Sequence, residues 1–82
     1  MSEDRILSEL ADIVFETTRV PQSMVTLNSS FADDLDIDSL SMVEIATAAE
    51  DHFGVTIPDK ELTNLVTVRD AVEFIAKAGV SA

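Results

Sequence analysis

The sequence predicts an all-α protein. We expect a small bundle of three main helices plus a short third helix, with a long loop between helices 1 and 2. Two observations predict this class: apolar residues recur at helical spacing in three segments, and the alternating pattern of strands is almost absent. A chain of 82 residues suffices for one domain, which we expect to span residues 1–82.

The first helix is predicted over residues 3–18. Ser2 is a suitable N-cap, and the helix should end before Val20 and Pro21, because the residue preceding a proline resists helical backbone angles. Phe15 falls nearly opposite the apolar face, and the sequence assigns it no role. The face directed to the core is expected to consist of Ile6, Leu10, Ile13, Val14 and Thr17.

Residues 19–38 follow no period and are predicted to form a loop. Loops of this length in compact domains are often functional. We expect four apolar side chains to attach the loop to the core, namely Val25, Leu27, Phe31 and Leu35.

The second helix is predicted over residues 39–53, and Gly54 is suited to end it in the left-handed conformation. Leu40, Glu44 and Asp51 fall on one ridge of this helix. The opposite, buried stripe is expected to contain Met42, Ile45, Ala46, Ala49 and Phe53.

The last part of the chain predicts a short helical turn over residues 59–64 and then a final helix. Thr67 opens that helix, because Thr67 and Asp70 are spaced like a capping box, and Gly79 should end it. Its buried stripe is expected to be Val68, Ala71, Val72 and Ile75.

The charge of the chain restricts its partners. The chain has 16 acidic residues and 5 Lys plus Arg, which gives a formal net charge of −11. No Lys or Arg lies between Arg19 and Lys60. A protein that binds the phosphate backbone of a nucleic acid needs clustered cations, so we expect no nucleic acid partner. We expect the partners to be proteins with basic surfaces. We also expect a cytoplasmic protein without a membrane partner, because neither a signal sequence nor a spanning segment is recognisable.

The most informative stretch is DDLDIDSLSMVE, residues 33–44, in which four aspartates precede Ser39. A calcium loop starting at Asp34 is one interpretation, because acids follow at its third and fifth positions. Ser39 then stands where such a loop needs glycine, and Ile45 stands where it needs a bidentate glutamate. An acidic calcium- or protein-binding module without modification is therefore a remote alternative, and no dedicated metal site is expected.

Other interpretations concern Ser39 itself. As a nucleophile it needs a base, but the only histidine, His52, lies about 20 Å further along the same predicted helix. As an N-cap, either Asp38 or Ser39 could accept a bond from a free backbone amide. A cap explains neither the other acids nor the outward Leu40. A phosphate attached to Ser39 explains them, because the helix N-terminus favours an anion and the acids attract a basic modifying enzyme.

The acidic frame around DSL, residues 38–40, resembles that of acyl carrier proteins, particularly those of the actinobacterial type II (dissociated) fatty-acid synthase. The resemblance implies a protein that is not an enzyme and that carries 4′-phosphopantetheine, taken from coenzyme A, on Ser39. Fatty-acyl chains would then be held as thioesters, and a discrete carrier of a polyketide or other specialised acyl pathway is the alternative. Because the chain has no cysteine, the sulfur would come with the cofactor. The resemblance covers nearly the whole chain, including NSSFADDL (28–35), DIDSLSMVE (36–44), EDHF (50–53), VTIPD (55–59) and the pattern TVxDAVxFI (67–75).

The resemblance also implies partners and surfaces. The expected partners of this monomer are a phosphopantetheinyl transferase (the holo-carrier synthase), a malonyl transferase, ketosynthases, a ketoreductase, a dehydratase and an enoyl reductase. The residues expected to face their basic patches are Asp38, Leu40, Glu44, Glu50, Asp51 and Asp59. The acyl chain is expected in a cavity lined by Phe31, Met42, Ile45, Ala46, Ala49, Ile57, Leu62, Leu65, Ala71 and Val72.

Overall fold

The structure, a computed structural model, describes residues 2–78, and four α-helices account for most of them. Within these residues the only extended pairing is an isolated bridge between Ser30 and Thr67. The predicted all-α class is confirmed. The elements are α1 (Glu3–Thr18), a 3-10 helix (Gln22–Met24), α2 (Ser39–Phe53), α3 (Asp59–Leu62) and α4 (Val68–Lys77).

Local interactions bound α1 at both ends, and its predicted limits are confirmed. The backbone amide of Arg5 donates to Ser2 Oγ at 3.2 Å, so Ser2 is the N-cap. At the other end Arg19 adopts the left-handed conformation with φ 67°, which residues other than glycine rarely do. The Arg19 guanidinium lies 5.6 Å from the centre of the Phe15 ring. This cation–π contact gives a physical role to the phenylalanine outside the buried face.

The long loop is fastened to the first turn of α4 through backbone atoms. The amides of Val68 and Arg69 cannot find partners within α4, because they belong to its first turn. They donate instead to the carbonyls of Ser29, at 2.9 Å, and Leu27, at 3.0 Å. The loop also buries four apolar side chains, of which the last was not predicted: Val25, Phe31, Leu35 and Ile37.

The bounds predicted for α2 are confirmed, and its caps explain them. The amide of Ser41 donates to Asp38 Oδ1 at 2.8 Å, so Asp38 is the N-cap and Ser39 the first helical residue. Gly54 ends the helix with φ 70° and donates its amide to the carbonyl of Glu50 at 2.9 Å. The buried face comprises Ile45, Ala46, Ala49 and Phe53, with Met42 half-buried beside them.

The two C-terminal helices depart from prediction at one point. The short helix α3 ends at Leu62 rather than Asn64, because the amide of Asn64 bonds three residues back, as in a 3-10 turn. The predicted capping box of α4 is confirmed: the Asp70 amide donates to Thr67 Oγ1, and the Thr67 amide donates to the Asp70 carboxylate. The predicted end at Gly79 lies outside the described residues.

The core forms where α1 packs against α2 and α4. Within residues 2–78 no polar or charged side chain is buried, so the acidic groups remain at the surface. Here, too, no helix combines the length and apolar character needed to cross a membrane. The innermost side chains are Ile6, Leu10, Val14, Val68, Val72 and Ile75.

Candidate functional site

Ser39 is the first residue of α2, and its side chain is exposed. The cap belongs to Asp38, which corrects the possibility that Ser39 serves this purpose. Hydrogen bonds from the Ser41 backbone amide, and secondly from the Ser41 side chain, hold the pKa of Asp38 below its usual value. The Ser39 hydroxyl therefore remains outside the cap, at a helix end whose amides and dipole favour an attached anion.

The aspartates of the acidic stretch do not converge on one point. Asp34 Oδ2 accepts a hydrogen bond from the Ser30 amide at 2.8 Å, whereas Asp38 caps α2. Asp36 between them adopts a left-handed backbone conformation with φ 54°. In the part of the chain that the structure describes, no three acidic or histidine side chains are placed to hold a metal ion. The calcium-loop interpretation thus finds no support in this geometry.

His52 is not placed to activate Ser39. The histidine lies in the last turn of α2, whereas the serine begins that helix, so their separation is about 20 Å along the helix axis. The Nε2–H of His52 donates to Oε1 of Glu9 on α1. The imidazole therefore contacts another helix and takes no part in a serine–histidine pair.

Two surface hollows flank Ser39, and Met42, one turn further along α2, borders both. The first hollow, of 270 Å³, lies on the loop side and includes Phe31. The second, of 430 Å³, lies between α2 and α3 and includes Asp59 and Leu62. A group attached to Ser39 consequently has space on either side of its attachment point.

The outward ridge of α2 carries Leu40, Glu44 and Asp51, all of them exposed. Leu40 is 70 % exposed, more than any other large apolar side chain within residues 2–78. Glu50 differs from the prediction, because it is half-buried and its Oε2 accepts a hydrogen bond from the Ile57 amide at 2.6 Å. Its carboxylate is directed toward the chain itself and holds the link after α2 against the helix.

An apolar cavity of 20 Å³ lies between the helices, with room for about one water molecule. Most of the residues predicted for an acyl cavity line it. Two do not: Leu62 borders the second hollow beside Ser39, and Val72 is completely buried in the core. The lining residues are Leu10, Phe31, Met42, Ile45, Ala46, Ala49, Ile57, Leu65, Ala71, Phe74 and Ile75.

Three lining residues, Leu10, Phe74 and Ile75, were absent from the predicted set. The helical period marked Leu10 and Ile75 as buried residues, but a period does not tell which buried side chains adjoin an internal space. Phe74 is half-buried at the margin of α4, and its spacing gave no signal.

Comparison with known proteins identifies the family. Residues 8–75 match the family model described as "Phosphopantetheine attachment site". The chain is 56 % identical over 82 residues to an acyl carrier protein of Acidothermus cellulolyticus, covering 100 % of this chain and 98 % of that one. It is 62 % identical over 77 residues to an acyl carrier protein of Beutenbergia cavernae, covering 94 % of each. A meromycolate extension acyl carrier protein of Mycolicibacterium aurum is 54 % identical over 76 residues, covering 93 % of this chain and 78 % of that one.

The fold and these similarities define a carrier of activated groups rather than a catalyst. The chain belongs to the phosphopantetheine-binding family of acyl carrier proteins. Its cofactor is 4′-phosphopantetheine. The chain suits this group, because it offers an exposed serine hydroxyl at a helix start, open space on both sides of it, and no cysteine of its own.

Proposed function

We propose that Ser39 carries the 4′-phosphopantetheine group and that the protein delivers fatty-acyl thioesters to the enzymes of a dissociated fatty-acid synthase. The observation that carries this proposal is the division of roles at the start of α2, where Asp38 caps the helix and Ser39 stays exposed. Neighbouring serines are less suitable. Ser41 is half-buried, and the Ser29 hydroxyl donates to the carbonyl of Met24 at 2.9 Å.

Attachment would form a bond between Ser39 Oγ and the phosphorus of coenzyme A that bears pantetheine. The hydroxyl proton passes to a base of the transferase, and the adenosine bisphosphate leaves with the electrons of the broken phosphoanhydride bond. Ser39, as the first residue of α2, would hold the resulting phosphodiester at the positive end of the helix dipole. Once attached, the group supplies a flexible arm whose terminal thiol holds the acyl chain.

The internal cavity is the proposed shelter for that chain. Its walls include the small residues Ala46, Ala49 and Ala71, which leave space between α2 and α4. An acyl chain that enters gains about 0.8 kcal/mol for each methylene group removed from water. Since only 20 Å³ is open between the helices, entry requires the walls to move apart.

The exposed surface around Ser39 is the proposed docking face for the synthase enzymes. Asp38, Glu44, Asp51 and Asp59 would attract basic patches on them, and Leu40 would provide an apolar centre. We assign Glu50 a smaller share, because its carboxylate already accepts the Ile57 amide. Such charges increase the rate of encounter more than the affinity, which suits a monomeric cytoplasmic carrier that must leave each partner quickly.

The attachment test is mass measurement. The apo protein is incubated with coenzyme A and a broad-range phosphopantetheinyl transferase and then weighed intact. We expect one phosphopantetheinyl group on the wild type and on Ser41→Ala, the neighbouring serine control, and none on Ser39→Ala. Modification of Ser39→Ala, or none of the wild type, would refute the assignment.

The pathway is tested separately by releasing the acyl groups from carrier purified from its native host. Fatty-acyl groups of graded length, both saturated and in the 3-oxo, 3-hydroxy or 2-enoyl form, support the fatty-acid synthase. Polyketide intermediates would replace that part of the proposal while leaving the role of Ser39 intact.

A further inference from the structure

Two of the residues that line the internal cavity are not buried. Met42 and Phe74 are half-buried, whereas each of the others is at most 8 % exposed. Met42 borders the two hollows beside Ser39, so it stands at the end of the cavity where the arm is attached. The lining of the cavity thus reaches the protein surface at two places, and only one of them adjoins the hollows beside the serine.

Phe74 stands at the other place. Its side chain borders the internal cavity and also an outer hollow of 210 Å³ between α3 and α4, which does not include Ser39. Leu65 borders both spaces too, but it is only 8 % exposed. The Phe74 ring is therefore the partly exposed partition between the cavity and solvent on the side away from the arm.

This position allows the ring to move without displacing a helix. A phenylalanine on a helix has two allowed χ1 rotamers, and the outer hollow offers room for the ring on its solvent side. Lys77, one turn along α4, also borders that hollow, and its apolar stem can cover the displaced ring. Two buried lining residues also adjoin a hollow, Phe31 the first hollow beside Ser39 and Leu65 the outer one, but they are only 2 % and 8 % exposed.

We propose that Phe74 is a movable end wall that sets the length of acyl chain the protein can shield from water. The inference rests on the proposed shelter function of the cavity. Short chains would be accommodated by movement near Met42 alone. Longer chains would displace the Phe74 ring into the outer hollow and take the space it leaves, and they would be shielded less completely as their length increases.

The experiment measures how well the thioester is protected. Butanoyl, octanoyl, dodecanoyl and hexadecanoyl forms of the holo protein are treated with neutral hydroxylamine, and cleavage is followed by intact mass. We compare wild type, Phe74→Ala, Phe74→Leu and the control Phe15→Ala, which alters another half-buried phenylalanine that does not line the cavity. Phe74→Leu keeps most of the apolar volume and serves if Phe74→Ala does not fold.

We expect cleavage of the longest chains to slow by about threefold or more in Phe74→Ala, since more of each chain is removed from water, and to slow less in Phe74→Leu, which vacates less space. Short chains on the Phe74 variants, and chains of every length on Phe15→Ala, should be cleaved at the wild-type rate. A second readout is the NMR spectrum of ring-labelled Phe74, whose signals should shift with long cargo and stay unchanged with short cargo.

The outcomes separate this inference from the shelter proposal itself. If no chain of any length is protected in the wild type, the shelter function fails. If the wild type protects its cargo but the Phe74 variants follow Phe15→Ala, or lose protection equally at every length, the end-wall assignment is wrong. Ring signals that respond equally to every cargo would also overturn it.

Discussion

The Nε2–H of His52 in α2 donates a hydrogen bond to Oε1 of Glu9 in α1, and this contact joins residues 43 positions apart. Arg5 Nε donates to the other oxygen of the same carboxylate at 2.6 Å. Both bonds favour the ionised carboxylate. The His52 bond, and then the Arg5 bond, hold the pKa of Glu9 below its usual value.

We expect acid to weaken this connection. Because the pKa of Glu9 is lower in the folded state, its contribution to stability is complete above the usual value of 4.5 and is lost as the pH falls through the folded-state pKa. Glu9→Gln should lower Tm at neutral pH, and the difference from wild type should shrink as the pH falls below 4.5. The control is Glu16→Gln, an exposed change of the same charge in the same helix. Identical Tm–pH curves for the two variants would contradict the expectation.

The cap of α2 supports the turn that contains Ser39. Asp38→Ala removes the acceptor for the Ser41 amide, so the first turn should fray, Tm should fall and the Ser41 amide should exchange with solvent faster. Asp38→Asn should behave nearly as wild type, because asparagine is an equally good cap. Asp33→Ala controls for the lost charge in the same acidic stretch. Equal exchange at Ser41 in Asp38→Ala and Asp33→Ala would show that the cap is unimportant.

Gly54 occupies a backbone conformation that disfavours other residues. Its φ is +70°, while a Cβ at this position would meet no atom within 4 Å. Gly54→Ala should therefore cost about 1 kcal/mol in the free energy of unfolding through backbone strain alone. Gly54→Asn should cost less, because asparagine tolerates the left-handed region. Urea denaturation measures the free energy of unfolding of both variants. Equal losses would show that the left-handed backbone conformation is not the cause.

The exposed acids of α2 should control the rate at which basic partners associate. Glu44→Gln and Asp51→Asn are each expected to slow association with the phosphopantetheinyl transferase by about two- to fivefold at low salt, and the difference should vanish as salt increases. Glu16→Gln on α1 is the control. Glu50→Ala should mainly lower stability, because it leaves the Ile57 amide without its acceptor. Stopped-flow measurements give the association rates. The same rate for all four variants would show that the exposed acids of α2 do not form the docking face.

The sequence was sufficient for features that depend on nearby residues. The start of α1 followed from Ser2, the end of α2 from Gly54, and the capping box of α4 from the spacing of Thr67 and Asp70. These are local hydrogen bonds, so residue type and spacing contain the necessary information. The sequence left open whether Asp38 or Ser39 caps α2. The exposed position of Ser39 followed from its place in the first turn of the predicted helix.

Features that depend on contacts between distant segments were not predictable. Nothing in the sequence near His52 indicates that it meets Glu9, and the burial of Ile37 depends on how an aperiodic loop folds back. The role of Phe15 depends on Arg19, which ends α1 in a left-handed conformation and has its guanidinium over the phenyl ring. The place of Phe74 depends on where α3 and α4 leave a gap between them.

The fastening of the long loop to α4 uses main-chain groups that every amino acid except proline supplies. The amides of Val68 and Arg69 would still find the carbonyls of Ser29 and Leu27 if those side chains were exchanged for others. The side chains of the loop can therefore be substituted, in evolution or in design for a new enzyme partner, while the backbone attachment is retained. Proline at position 68 or 69 would break this attachment, because proline has no backbone N–H to donate.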